Sequence, residues 1–325
     1  MLRWGILSTG MIAKKFAETL NQMDENFVLA GVSSRNFKRA SEFANCYHTK
    51  AFESHTALAH AEDIDIIYIA APNAYHFEYV MLCLNAGKHV LCEKPFTINA
   101  NEAKTLYETA KNKGLFLMDG LWTMHLPAYQ KIRALIEDGC IGEVRHLRAE
   151  FGIVPTGARL AMKLDSNLGG GALLDIGIYN ITFAALVMGQ SPKQIQAHLR
   201  IADEGTDDLS TLLFTYPNGG TASLSSAIGV KMPSEAVIFG TKGYIHLPNY
   251  QLATQINLHV GEEAPVQFEL PFEINGFEYQ IKEAVRCIES GLLESPQLDA
   301  AFSVSILETL DEIRTISNLR FAFEQ

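Results

Sequence analysis

Between residues 3 and 120 the chain alternates apolar runs of strand length with amphipathic runs of helix length. Strands are expected over 3–7, 27–33, 64–70, 88–92 and 115–120. Helical periodicity falls at 11–23, 36–45, 74–86 and 99–112. Turn residues punctuate them: Asn36 is a helix N-cap, and Gly87 and Gly114 end helices. The run over 64–70 is almost wholly apolar, as the middle strand of a parallel sheet must be when helices cover both faces. Such alternation specifies an α/β fold, a doubly wound parallel sheet with right-handed crossovers.

The pattern changes near residue 121. A helix is expected over 127–138 and a strand over 142–152. Gly169-Gly170-Gly171 opens a long helix over 172–188. Alternating strands fill 194–270, with turns at 217–220 and 241–243, and two helices follow at 277–290 and 299–318. This half reads as α+β with a large, open, mainly antiparallel sheet. The expected domains are 1–121, binding a dinucleotide, and 122–325, supplying the substrate wall and a dimerisation surface.

Composition narrows the function classes. With 325 residues and 48% hydrophobic content, the chain has material for two cores. A formal net charge of −11 disfavours nucleic acid and anionic membranes as partners, though not an anionic cofactor captured by local basic groups. No apolar run reaches membrane-spanning length, and residues 1–8 read as a strand rather than a secretory leader. Five scattered cysteines without a C-x-x-C pair fit reduced thiols in a cytoplasmic protein. Ten histidines show no compact ligand spacing, so no metal is expected.

The first βα turn is a modified dinucleotide fingerprint. Ser8-Thr9-Gly10-Met11-Ile12-Ala13 puts Gly10 where backbone approaches a pyrophosphate and Ala13 where helix meets strand. Ser8 stands in the first-glycine position, acceptable if its dihedrals are ordinary. A plain βα turn is the simpler alternative. At the end of the second strand, where NAD enzymes commonly carry an acid for the ribose hydroxyls, the chain has Ser33-Ser34-Arg35, then Lys38 and Arg39. A hydroxyl and a guanidinium fork suit a phosphate monoester, which favours NADP, with NAD as the alternative.

The strand over 88–92 runs into Glu93-Lys94-Pro95. Ligands bind outside the carboxyl ends of parallel strands, so Lys94 sits at the mouth of the expected cofactor site. Oxidising a secondary alcohol needs a base beside a hydride acceptor. Lys94 and Tyr179 can share that role, since an ammonium beside a phenol favours phenolate. Asp175, four residues before Tyr179, falls on the same helix face and can orient substrate hydroxyls or the catalytic amine. Their motifs lie in different domains, which puts the expected site in the cleft between them. Each residue has a plainer reading: a surface lysine, a core tyrosine, an acid favoured by a helix dipole. For His76 that reading is a cap or surface residue, for Arg159 a surface arginine. The acid-rich stretch 203–208 reads as a solvated hairpin turn.

Two longer motifs resemble the Gfo/Idh/MocA oxidoreductase family. One is Ile69-Ala70-Ala71-Pro72-Asn73-Ala74-Tyr75-His76 followed by Ala86-Gly87-Lys88-His89-Val90-Leu91-Cys92-Glu93-Lys94-Pro95. The other is 169–179, from the triple glycine to Tyr179. Tyr179, Trp122 after Asp119-Gly120-Leu121, and Ser34-Arg35 are most similar to the branch of dimeric dihydrodiol dehydrogenases and NADP-dependent D-xylose dehydrogenases. Ser8 and the Met124-His125 pair depart from that branch. The resemblance implies a Rossmann domain with Ser8, Thr9, Gly10, Met11, Ile12, Ser34, Arg35, Arg39, Ala71, Pro72, Asn73, His76, Glu93 and Lys94 at the cofactor. It implies Trp122, Arg159, Asp175 and Tyr179 at the substrate, with Lys94, Tyr179 and Asp175 catalytic. It also implies a homodimer through the open sheet. The expected reaction is hydride transfer between NADP and a secondary alcohol or carbonyl of a sugar, polyol or trans-dihydrodiol. A carbonyl or imine reductase and a non-catalytic NADP-binding regulator are the alternatives.

Overall fold

The computed structural model of the chain describes residues 1–24 and 26–324 and divides into two compact units. The first comprises Met1–Trp122 and Glu273–Val304, the second Thr123–Phe272 and Ser305–Gln325.

The first unit opens with β1 (Leu2–Leu7), α1 (Met11–Gln22), β2 (Phe27–Ser33), α2 (Phe37–Tyr47), β3 (Lys50–Phe52), α3 (His55–Ala59) and β4 (Ile66–Ile69). It continues with α4 (His76–Asn85), β5 (His89–Glu93), α5 (Ala100–Lys113) and β6 (Leu117–Gly120). All six strands run parallel in the order β3-β2-β1-β4-β5-β6. Strand order reverses between β1 and β4, which places the ligand crevice beyond their carboxyl ends. Every residue of β4 is buried, and Phe16 of α1 stacks on Tyr68 with ring centroids 3.7 Å apart. Asn36 caps α2 by accepting from Lys38 and Arg39 N–H, and Asn99 caps α5 through Glu102 N–H at 3.0 Å. Gly114 closes α5 at φ 66°. The sequence reading has no counterpart for β3 and α3, which are too short for a periodic signal.

The second unit contains α6 (Pro127–Glu137), β7 (Val144–Ile153), α7 (Ala158–Leu164) and α8 (Ile178–Met188). Seven strands follow: β8 (Gln194–Ile201), β9 (Asp207–Thr215), β10 (Thr221–Ile228), β11 (Met232–Gly240), β12 (Gly243–Leu247), β13 (Gln255–Val260) and β14 (Val266–Glu269). The eight-stranded sheet has the order β14-β13-β12-β11-β7-β10-β9-β8. Neighbours pair antiparallel except β7 and β10, which are parallel. In β9, Leu212 and Phe214 are buried while Leu213 between them is exposed, the period-2 pattern of a sheet with one open face.

Two sequence expectations are refined here. The long helix expected over 172–188 is present, with a π-helical segment, Leu173–Gly177, near its start that leads into α8. An apolar, glycine-led run does not distinguish the two hydrogen-bonding patterns. The acid-rich stretch is a hairpin, but only its tip is solvated. Asp203 and Glu204 are exposed, whereas Asp207 and Asp208 are buried. Asp207 accepts Leu173 N–H at 2.7 Å, and Asp208 binds the guanidinium of Arg200.

The chain then forms α9 (Phe277–Glu289), which belongs to the first unit, and α10 (Ala300–Ile316). Glu278 anchors the start of α9. Fully buried, its carboxylate accepts backbone N–H from Ile274, Asn275 and Gly276 at 2.9, 3.1 and 2.7 Å. Asn275 in turn pairs with Thr19 of α1 at 2.9 Å. No helix among the described residues is long and apolar enough to cross a membrane.

Candidate active site

The turn after β1 carries a constraint the sequence hides. Ser8 has φ 88°, in the left-handed region that a glycine enters without cost and another residue enters at about 1–2 kcal/mol. Its dihedrals are therefore not ordinary, and the fingerprint's first position keeps a glycine-like backbone with a hydroxyl side chain. Ser8 N–H donates to Ser33 carbonyl at 2.8 Å, which ties the turn to the end of β2. Gly10 precedes α1, and a Cβ built on it would meet nothing within 4 Å. No side chain caps α1 and no acid lies in its first turn. Free first-turn N–H groups, the helix dipole and open space beside Gly10 fit a dinucleotide pyrophosphate. Thr9 and Ile12 are half-buried there, and Met11 is exposed.

At the end of β2, Ser34 is buried and Arg35, Lys38 and Arg39 are exposed. Ser34 Oγ accepts Asn36 N–H at 3.4 Å. The guanidinium of Arg35 lies over the Tyr75 ring, 5.1 Å from its centroid. The basic cluster suits a phosphate monoester on the adenosine ribose.

The turn after β4 and the segment after β5 are joined by His76. Its ring is fully buried, with Nδ1 at 2.8 Å from Pro95 carbonyl and Nε2 at 2.9 Å from Ala71 carbonyl. Burial holds its pKa down against the raising effect of those carbonyls. His76 thus positions backbone on both sides: the turn at Ala71, and the Pro95 carbonyl just after the Lys94-Pro95 peptide, which is cis. Glu93 is buried too. One oxygen accepts the Tyr68 hydroxyl and the other accepts Lys94 N–H at 3.3 Å. Burial pushes its carboxyl pKa up, countered by Tyr68 and by the charges of Lys94 and Lys15.

Sequence reasoning missed Lys15. From α1 its Nζ sits 4.6 Å from the Trp122 ring centroid and 4.2 Å from that of Phe277. Burial lowers its pKa, while Glu93 and Glu278 raise it. Trp122 is itself buried, 5.2 Å from Phe277. Asp119 on β6 is buried as well, and desolvation first, then the Glu93 charge, push its carboxyl up to about 8.

In the second unit the triple glycine, the π turn and α8 present the other candidates. Gly171 has φ 117°, and a Cβ there would strike the Asp207 carboxylate. Asp175, in the π turn, forms an ion pair with Lys163 of α7, both side chains mostly buried. The sequence reading gives Asp175 substrate hydroxyls or the catalytic amine. Lys163 was not foreseen, because the seven-residue α7 was not. Tyr179 is buried to 6% exposure, its ring edge-on to Phe151 at 6.2 Å. Next to it, Asn180 donates to Ser225 carbonyl at 2.8 Å and accepts the Tyr250 hydroxyl, which locks the start of α8. Arg159 lies exposed on α7. No cluster of potential metal ligands occurs among the described residues.

These features agree with what the chain is similar to. A family model described as "Oxidoreductase family, NAD-binding Rossmann fold" matches residues 2–121, and one described as "GFO/IDH/MocA C-terminal domain" matches 129–246. The trans-1,2-dihydrobenzene-1,2-diol dehydrogenase of Mus musculus is 36% identical over 98% of both chains, and that of Homo sapiens 35% over 98% of both. A 3-ketoreductase from Actinomadura kijaniata, solved with NADP and TDP-benzene, superposes with a TM-score of 0.87 at 27% identity over 97% of each chain. With both halves matched by the same family's models, and a relative above one-third identity along nearly its whole length, the chain belongs to the Gfo/Idh/MocA oxidoreductases.

Proposed function

We propose that the protein is an NADP-dependent dehydrogenase or reductase acting on a secondary alcohol, or its carbonyl, in a sugar, polyol or trans-dihydrodiol. The observation that carries this reading is the placement of Lys94. It follows directly on β5 of a parallel sheet whose β1 leads into an uncapped helix N-terminus; its own N–H is held by Glu93, and the carbonyl of the next residue, Pro95, by His76. The names of the dihydrodiol dehydrogenase relatives and the NADP in the ketoreductase structure support it. So do Ser34 and Arg35, with no acid at the end of β2.

A nicotinamide cofactor, when bound, would supply the hydride acceptor or donor. The chain's residues would hold the cofactor, orient the substrate and move one proton. Main-chain N–H groups at the start of α1 would bind the pyrophosphate, and Ser34, Arg35 and Arg39 the adenosine phosphate. Lys94 and Tyr179 act as one proton-transfer unit on the substrate hydroxyl. Asp175, held by Lys163, orients neighbouring hydroxyls, with Trp122 and Arg159 as further substrate contacts. Turnover of a panel of sugars and diols with NADP and NAD, followed at the nicotinamide absorbance, tests the reading. Reduction of NADP by at least one such alcohol is expected. Inertness of the whole panel in both directions would overturn it.

The proposal extends to a homodimer through the open sheet face and to a cytoplasmic location. Exposed Leu213, Phe239 and Tyr244 on that sheet support the first. Five unpaired cysteines support the second.

A further inference from the structure

The guanidinium of Arg35 is held by a ring and not by an acid. No carboxylate pairs with Arg35 among the described residues, whereas Tyr75 lies under it at 5.1 Å. The difference matters for an anion site. A carboxylate partner would occupy the N–H fork that a phosphate needs, whereas an aromatic face holds the cation and leaves its donors open.

Tyr75 is itself fixed. It ends the turn Asn73–Tyr75 and precedes the first residue of α4. One helical turn on, Tyr79 stacks against it at 5.8 Å with rings 16° apart. Tyr79 meets the His55 ring edge-on at 4.8 Å. His55, the first residue of α3, is hydrogen-bonded through Nδ1 to Ser33 Oγ at 2.8 Å. Burial first, and the Arg35 charge second, push the imidazole down to about 4, so it is neutral at physiological pH. Arg35 is then the cation of this chain of contacts. Ser33 lies two residues before Arg35, so the contacts close on themselves: Ser33, His55, Tyr79, Tyr75, Arg35. The Ser33 carbonyl also receives Ser8 N–H, so the same loop leads to the pyrophosphate turn.

We propose that Tyr75 is a positioning residue for cofactor choice, holding the Arg35 guanidinium, through the ring stack with Tyr79, where it meets the 2′-phosphate of NADP. This rests on the NADP reading above. An unanchored arginine must lose its rotamer freedom when the phosphate arrives, and Tyr75 removes part of that loss beforehand. The benefit exists only for the cofactor that carries the phosphate.

The test is equilibrium binding, by calorimetry or quenching of intrinsic fluorescence, of NADP and NAD to five proteins. These are wild type, Tyr75→Leu, Tyr75→Phe, Arg35→Ala and the Tyr75→Leu/Arg35→Ala double variant. Tyr75→Leu is expected to weaken NADP by about three- to thirtyfold and to leave NAD unchanged. Tyr75→Phe keeps the ring and restores wild-type affinity. The double variant binds NADP no more weakly than Arg35→Ala. Equal loss of NADP and NAD affinity in Tyr75→Leu, or no loss of either, would overturn the inference while the cofactor reading stands. If Arg35→Ala fails to separate NADP from NAD, the cofactor reading and the inference fall together.

Discussion

At the scale of single residues, the proposed proton transfer gives Lys94 and Tyr179 roles that substitution can test. Loss of a general base costs about a hundred- to ten-thousandfold in rate. Tyr179→Phe removes one hydroxyl and keeps the packing against Phe151, so kcat should fall by that order with little change in stability or NADP binding. Lys94→Ala should lower kcat at least as far. Residues acting as one unit are strongly non-additive, so the double variant should be little slower than the worse single one. Steady-state kinetics across pH decide the matter. A Tyr179→Phe enzyme that keeps most of its kcat would take tyrosine out of the mechanism. Asp207 gives a prediction of a different kind. Burial pushes its carboxyl up to about 7, against about 3.9 in an unfolded chain. The folded state therefore holds this proton in a window where the unfolded state has lost it. Stability falls as pH rises from about 4 to about 7, by on the order of 4 kcal/mol from this group. Asp207→Asn retains an acceptor for Leu173 N–H and removes the titration. Urea unfolding at pH 5 and pH 8 should show a smaller difference between the two conditions for the variant than for wild type. Equal differences would mean that Asp207 titrates normally.

At the scale of elements, the legible parts are those whose signal is local. Asn36 before a polar turn, and glycines at 87 and 114, announce helix ends by their own chemistry. β2 is readable to the residue because a continuous apolar run has sharp polar borders. Ser8 is not readable, because only the folded turn shows that its backbone sits where glycine belongs. Nor is the Lys163–Asp175 pair, since the partners stand twelve positions apart across a glycine-rich connection and α7 is below the length at which periodicity speaks. The Lys15 cage fails for the same reason. Lys15 lies on α1 and Phe277 on α9, and no local pattern links residues so far apart. The start of α9 hangs on a single side chain. Glu278→Ala would leave three N–H groups, one buried and two partly buried, without their acceptor. Each unsatisfied group costs about 1–3 kcal/mol, partly relieved by entering water. A loss of roughly 2–4 kcal/mol in urea unfolding is expected, with Glu278→Gln intermediate. A variant within 0.5 kcal/mol (about the scatter of neutral surface changes) would show that water replaces the carboxylate.

At the scale of the molecule, the open face of the eight-stranded sheet is the feature a lone chain leaves unexplained. Four rings cross it in register: His146 and Phe239 at 5.9 Å, Phe239 and Tyr244 at 6.1 Å, Tyr244 and His259 at 4.2 Å. Glu235 binds Arg148 and His246 beside them, at 3.3 and 2.7 Å. Aromatic rings flanked by polar side chains that already have partners suit a self-complementary twofold contact, because a residue near the axis meets its own copy. The size is sufficient. At about 4.8 Å between strands and about 3.3 Å per residue, a sheet of these strands presents about 900 Å², against about 800 Å² per partner in a stable interface. A sheet-on-sheet homodimer should therefore scatter light at twice the 35.9 kDa chain mass at micromolar concentration. Phe239→Lys combined with Tyr244→Lys would place like charges at the axis and desolvate them, which should shift the mass toward one chain. Both side chains are about one-third exposed in the single chain, so the fold itself should tolerate the change. A wild-type protein that stays at one chain mass would exclude the dimer. A double variant that remains dimeric would move the contact to another surface.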